Sequence, residues 1–70
     1  MAKANKRLQL KMFRVSQYLS QKQIAERLNY SVSQYSLIER GYRDGSQEFW
    51  NTLQREFNIA DSEMWRLMKR

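Results

Sequence analysis

The chain has 70 residues, 41% of them hydrophobic and 13% aromatic, enough for one small core and too apolar for a disordered tail. It contains neither Cys nor His, which excludes a disulfide framework, a thiolate centre and the usual zinc or haem ligand sets, so no cofactor or metal is expected. The net charge of +6 is lopsided: residues 1–43 hold nine basic residues against two acidic ones, while residues 44–70 hold four against five. A basic half suits contact with a polyanion, although charge alone also fits a merely solvated surface.

Pro is absent and Gly occurs only at Gly41 and Gly45, which favours helix throughout. The expected fold class is all-α, a compact five-helix domain spanning residues 1–70, with no linker, repeat or low-complexity stretch. The first helix is expected over about Asn5 to Gln17. Ser20 then opens a second helix, over residues 21–28. In its capping box the Ser20 hydroxyl accepts the Gln23 N–H and the Gln23 side chain reaches back. Leu19 and Ile24 complete a hydrophobic staple. Ser31, with Gln34 as box partner and Tyr30/Tyr35 as staple, repeats the device and opens a third helix over 32–40. Asn29 tolerates the left-handed conformation, so it stops the short helix between the two boxes. This is helix, tight turn, helix.

Gly41 ends the third helix. Ser46 caps a fourth, over 47–57, whose Phe49, Trp50, Leu53 and Phe57 share one stripe; Asn58 ends it. Asp61 is expected to cap a fifth, over 62–68, carrying Met64, Trp65, Leu67 and Met68.

An advance of about 100° per residue divides the third helix into two faces. Val32, Ser33, Ser36, Leu37 and Arg40 fall within one arc, and Tyr35, Ile38 and Glu39 lie opposite. Small side chains let a helix approach base edges closely. Serine can bond several bases, aliphatics meet the thymine methyl, and Arg grips guanine O6/N7 or a phosphate. The alternative is that Val32 and Leu37 belong to the core or a dimer contact while the serines only cap and solvate.

At these residues the chain resembles the phage repressor/Cro, or Xre-type, helix-turn-helix family. The resemblance covers about residues 7 to 68 and is carried by LSQKQIAERLNYSVSQYSLIERGYRDGSQEFWNTLQREFNI, with IERG at Ile38–Gly41 its most specific piece. It implies a lambda-repressor-like fold with Ala25 at the small position where the two helices cross. It also implies a structural pair between Arg14 and Glu39. By position, Ser31, Val32, Ser33, Ser36, Leu37 and Arg40 match the base-facing set. Gln21 with its backbone N–H matches the phosphate clamp at a helix N-terminus. Tyr42 and Arg43 flank the DNA backbone, and Gln34 either reaches phosphate or closes its capping box. The family's glycines after the first helix, in the turn and after the fourth helix are Tyr18, Asn29 and Asn58 here. Tyr18 is expected to change the shape of the first turn. Gly45, in place of a common Pro, is expected to loosen the approach to the fourth helix, and Tyr35 to repack the core locally.

The leading expectation is a sequence-specific regulator that binds a double-stranded DNA operator, from a phage or other mobile element. It would act as a homodimer on half-sites about one helical turn apart, with Met64, Trp65, Leu67 and Met68 as interface candidates; the alternative is that this last helix only closes the monomer core. Regulation would come through concentration, competition or a separate protein partner. The rival is a protein-interaction module of the same fold, an antitoxin or adaptor. Scattered carboxylates without a Gly-rich phosphate loop give an enzyme little support, and no strand is evident to carry RNA-stacking aromatics. No apolar run approaches the roughly 20 residues that span a bilayer, and MAKANKR lacks a signal-peptide core; the expected location is cytoplasmic.

Overall fold

Two reciprocal capping boxes set the centre of the molecule. In this computed structural model, which describes residues 5–70, the helices are α1 (Leu8–Ser16), α2 (Gln21–Leu28), α3 (Val32–Glu39), α4 (Gln47–Phe57) and α5 (Asp61–Met68). Gln23 N–H donates to Ser20 Oγ at 3.1 Å while Ser20 N–H donates to Gln23 Oε1 at 2.8 Å. Gln34 and Ser31 repeat the exchange at 3.1 and 3.0 Å. Each box satisfies two backbone donors that a helix start otherwise leaves to solvent. Ser46 Oγ starts α4 by accepting the Phe49 N–H.

The chain leaves α2 and α4 through left-handed residues, Asn29 at φ 63° and Asn58 at φ 52°. Tyr18 also takes this conformation, at φ 59°. The expectation that Tyr18 reshapes the first turn is therefore corrected: the backbone adopts the geometry a glycine would, and the tyrosine bears the strain. Its side chain, 93% exposed, makes no packing contribution that offsets this. Tyr18→Gly is expected to raise stability by about 1 kcal/mol, read from the denaturation midpoint. An unchanged or lowered midpoint would refute the assigned strain.

Helix α1 begins three residues later than expected. Arg7 forms its cap, and the reason lies in long-range bonding. The Arg7 N–H donates to the Glu39 carbonyl at 2.9 Å. Its guanidinium, in a residue only 3% exposed, donates to the carbonyls of Ile38 (2.6 Å), Arg43 (2.8 Å), Asp44 (3.2 Å) and Met68 (3.0 Å). Arg7 thus gathers the C-terminal ends of α3 and α5 and the loop after α3, where unpaired carbonyls collect. Burial, then the nearby Arg70 charge, lowers its pKa from the usual arginine value. Arg70 itself pairs with Asp44 and donates to the Gly41 carbonyl.

Around this hub the core is formed by Leu10, Ile24, Leu28, Tyr35, Phe49 and Leu53, all fully buried, with Ala25 also buried on α2, a helix that packs against both α3 and α4. Phe49 is its aromatic centre, edge-on to Tyr30 at 5.2 Å and to Trp50 at 4.9 Å. Tyr35 lies tilted against it at 6.1 Å. Such pairs add about 0.5–1.5 kcal/mol each beyond the area they bury.

Two further expectations are corrected. Asp61 does not cap α5 but is its first residue; Ala60 precedes it without a side-chain bond. The Asp61 carboxylate accepts from Gln54 Nε2 instead, in the first turn where the helix dipole favours negative charge. The approach to α4 is not loosened by Gly45. Trp50 Nε1 donates to the Asp44 carbonyl at 3.0 Å, and its indole lies so close to Gly45 that a Cβ there would stand 2.9 Å from Nε1. Arg40, expected as the last residue of the third helix, is its cap. No helix among the described residues is long and apolar enough to cross a membrane.

Candidate nucleic-acid interface

Helix α3 shows two sharply different sides. Tyr35, Ile38 and Glu39 are buried. Ser31, Val32, Ser33, Gln34 and Arg40 are exposed, while Ser36 and Leu37 are half-buried in a shallow hollow that they share with Val32, Ser33, Gln21 and Arg40. All six residues assigned to the base-facing set thus lie on the surface side of α3 and its caps. Ser31 Oγ accepts the Gln34 N–H, which leaves its hydroxyl proton free to donate outward.

The buried side is held by a four-residue network. Arg14 Nε donates to Glu39 Oε2 at 2.9 Å and its Nη2 donates to Oε1 at 3.2 Å. Tyr35 Oη donates to Oε2 at 2.6 Å and Gln21 Nε2 to Oε1 at 3.1 Å. Arg14 also donates to the Leu19 carbonyl, fixing the turn before α2. The carboxylate therefore ties α1, α2 and α3 to one point. Tyr35 is larger than an aliphatic residue because its hydroxyl is a member of this network. Burial raises the Tyr35 pKa first, and the bond to Glu39 raises it further, so the hydroxyl stays a donor. The hydrogen bond to Glu39 raises the Arg14 pKa against the opposing effect of burial.

Burial alone would push the Glu39 carboxyl up, but the bonds from Arg14, Tyr35 and Gln21 together hold it below its usual value. A carboxyl depressed in the folded state contributes stability in full above the ordinary carboxylate range. That contribution is lost as pH falls through the depressed folded value. The Glu39→Gln variant is expected to lose this acid-dependent part, so that its stability falls less steeply with acid than the parent's. Denaturation midpoints between pH 7 and 3 measure this, and parallel curves would contradict it.

The geometry reassigns some of the predicted phosphate contacts. Gln21 turns its amide inward to Glu39, leaving the backbone N–H at the α2 N-terminus as its outward group. Gln34 closes its capping box through Oε1 and keeps its Nε2 free. Tyr42 is exposed, with the Arg40 guanidinium 5.1 Å over its ring. Arg43 is exposed too, and shares a hollow beside α3 with Tyr30, Gln34 and Leu37.

Sequence reasoning missed Lys6 and Lys11. They line a cleft of about 230 Å³ with Arg14, Gln21, Arg40 and the one carboxylate, Glu39, that Arg14 pairs with. Their one signal was the run from Met1 to Ala25, which holds six basic residues and no acidic one. Gln21 and Arg40 line both this cleft and the α3 hollow, so the two adjoin.

A family model described as Helix-turn-helix matches residues 10–63, which includes α2, α3 and the whole of α4. The chain belongs to the Xre-type helix-turn-helix family. This is a DNA-binding domain type, not an enzymatic one, and the chain is a DNA-binding helix-turn-helix regulator at that level of description. No curated protein and no solved structure matches the chain. In this Xre-type domain, α2 and α3 are the helix-turn-helix pair, and the glutamate of IERG is the acceptor on which the pair converges.

Proposed function

We propose that this Xre-type protein is a sequence-specific, Cro- or repressor-like regulator of a phage or other mobile element. It reads a double-stranded operator with α3 in the major groove. The observation that carries this reading is a side of α3 that leaves Ser31, Val32, Ser33 and Arg40 exposed, next to a cleft lined by Lys6, Lys11, Arg14 and Arg40. A major groove is bounded by phosphate strands, and an exposed helix face with a cationic cleft beside it suits that pattern. Ser31, Val32, Ser33, Ser36, Leu37 and Arg40 face the bases. The Gln21 backbone N–H, Gln34, Tyr42 and Arg43 meet phosphates, joined by Lys6 and Lys11.

One module of this size buries little DNA surface, so useful affinity calls for two copies on related half-sites. Of the four interface candidates, Met64 and Leu67 are buried in the monomer core, while Trp65, 77% exposed beside half-buried Met68, supports a homodimer formed through that helix. An exposed tryptophan of this kind is the usual anchor of a protein contact.

Selection from a random duplex pool, followed by titration at several salt concentrations, tests the reading. The expected result is a preferred, two-fold related site and a steep salt dependence. Arg40→Ala should weaken binding at the selected site by about tenfold, with the loss concentrated on one base pair if it grips guanine. Ser33→Ala or Leu37→Ala should change which bases are preferred. Lys11→Ala should weaken all duplexes alike and lower the log–log salt slope by about 1. Variants that bind every duplex as the parent does would remove α3 as the reader.

A further inference from the structure

Helix α1 carries an apolar stripe that the fold does not use. Leu8, Met12 and Val15 are 59%, 62% and 54% exposed, and Tyr18 follows at 93%. Spacings of four, three and three place Leu8, Met12 and Val15 along one helix face, with Tyr18 in the turn at its end. The face points away from the core, because Leu10 and Arg14 on the opposite side are the residues that pack inward. Three large apolar groups in one row, with the Tyr18 ring exposed in the turn that follows, exceed the scattered exposure ordinary for a small protein surface. Tyr18 adds an independent observation: an aromatic residue held at φ 59°, where glycine would be less strained, with its ring in solvent.

The charge beside the stripe indicates what covers it. No carboxylate lies on α1, and Leu8 opens into the cleft lined by Lys6, Lys11 and Arg40. A second copy packed symmetrically on this face would bring like charges together. A segment with an apolar face and acidic flanks would fill the stripe and neutralise the lysines at once.

We propose that the outer face of α1 is the docking site for an acidic amphipathic helix of another protein, which lays its apolar side on Leu8, Met12, Val15 and Tyr18 and its carboxylates on Lys6 and Lys11. Because those lysines also belong to the proposed phosphate contacts, docking and DNA binding exclude one another. The exclusion, unlike the docking, rests on the proposed reading of DNA. The protein would then be relieved of its operator by a partner that never touches α3.

The probe is a synthetic helical peptide of about 15 residues, leucine along one face and glutamate on both flanks. It is titrated into the full-length, isotope-labelled protein while amide resonances are followed. The expected result is saturable shifts confined to residues 8–18 and the Lys6/Lys11 cleft, absent with a scrambled peptide of the same composition. Affinity should fall about tenfold or more in Met12→Glu, whose side chain is exposed and whose fold is checked by circular dichroism. Random duplex DNA should displace the peptide, and the uncharged Met12→Ser, which loses the apolar contact without adding a carboxylate beside Lys11, should weaken the peptide and keep the parent's affinity for DNA. The docking proposal is overturned if scrambled and amphipathic peptides bind alike or if the shifts centre on α3 or α5. It is equally overturned if the stripe engages anionic phosphatidylserine vesicles or a second copy in preference to the peptide. If the peptide docks but DNA fails to displace it, exclusion is refuted while docking stands. Failure of the parent to bind any duplex refutes the DNA reading separately.

Discussion

Replacing Arg7 by methionine is expected to destabilise the protein by about 3 kcal/mol or more, since bonds from a charged donor to buried acceptors each contribute roughly 1.5 kcal/mol or more. Methionine fills similar space without supplying a donor, so the carbonyls of Ile38, Arg43, Asp44 and Met68 lose their common partner. A domain of this length has a total stability of roughly 6 kcal/mol, so the change removes about half. The melting temperature should fall by roughly 15 °C. Lys6→Met, one residue earlier and exposed, should change stability by no more than about 0.5 kcal/mol. Arg7→Lys should recover only part of the loss, because an ammonium cannot reach the spread of acceptors that a planar five-donor group serves. A melting temperature for Arg7→Met within a few degrees of the parent would show that water satisfies these carbonyls equally well.

Gly41→Ala should cost a comparable amount, about 3 kcal/mol, for two separate reasons. The residue sits at φ +86°, and a Cβ added there would stand 1.8 Å from the Asn5 carbonyl oxygen. The obstruction is backbone, so relief requires the segment Asn5–Arg7 to move off the end of α3, taking the Arg7 bonds with it. Gly45 gives the internal comparison. Its φ is +80°, but the nearest atoms belong to the Trp50 side chain, at 2.9 Å and beyond. Gly45→Ala should therefore cost less, by about 1–2 kcal/mol. Denaturant midpoints at an unchanged slope measure both. Equal losses in the two variants would mean that the positive φ, not the Asn5 contact, dictates glycine at position 41.

What could be read in the sequence was what local chemistry writes there. Ser20 with Gln23 and Ser31 with Gln34 are complete instructions within four residues, so the helix-turn-helix pair was legible. The two sides of α3 followed from periodicity, because Tyr35 and Ile38 cannot both be buried without turning Ser33 and Ser36 outward. Arg7 was illegible for the opposite reason. It stands in a run of cations, and its partners are carbonyls 31 to 61 residues away, groups that every residue carries and no sequence marks. Lys6 and Lys11 became site candidates only when the same segment was seen docked beside Gln21 and Arg40. Tyr18 misled because propensity weighs the strain of a conformation, whereas the turn demands the conformation whatever residue supplies it.

The division between nearby and distant bonding around α2, α3 and Arg7 carries over to rates. Capping boxes close over three residues, so the central hairpin of helices can form early, at little loop-closure cost. The Arg7 fork unites ends that meet only when the whole chain has collapsed, which places its bonds on the native side of the barrier. Losing it should hasten unfolding while leaving the refolding rate nearly untouched, so that this one guanidinium governs how long a folded molecule lasts rather than how quickly it arises.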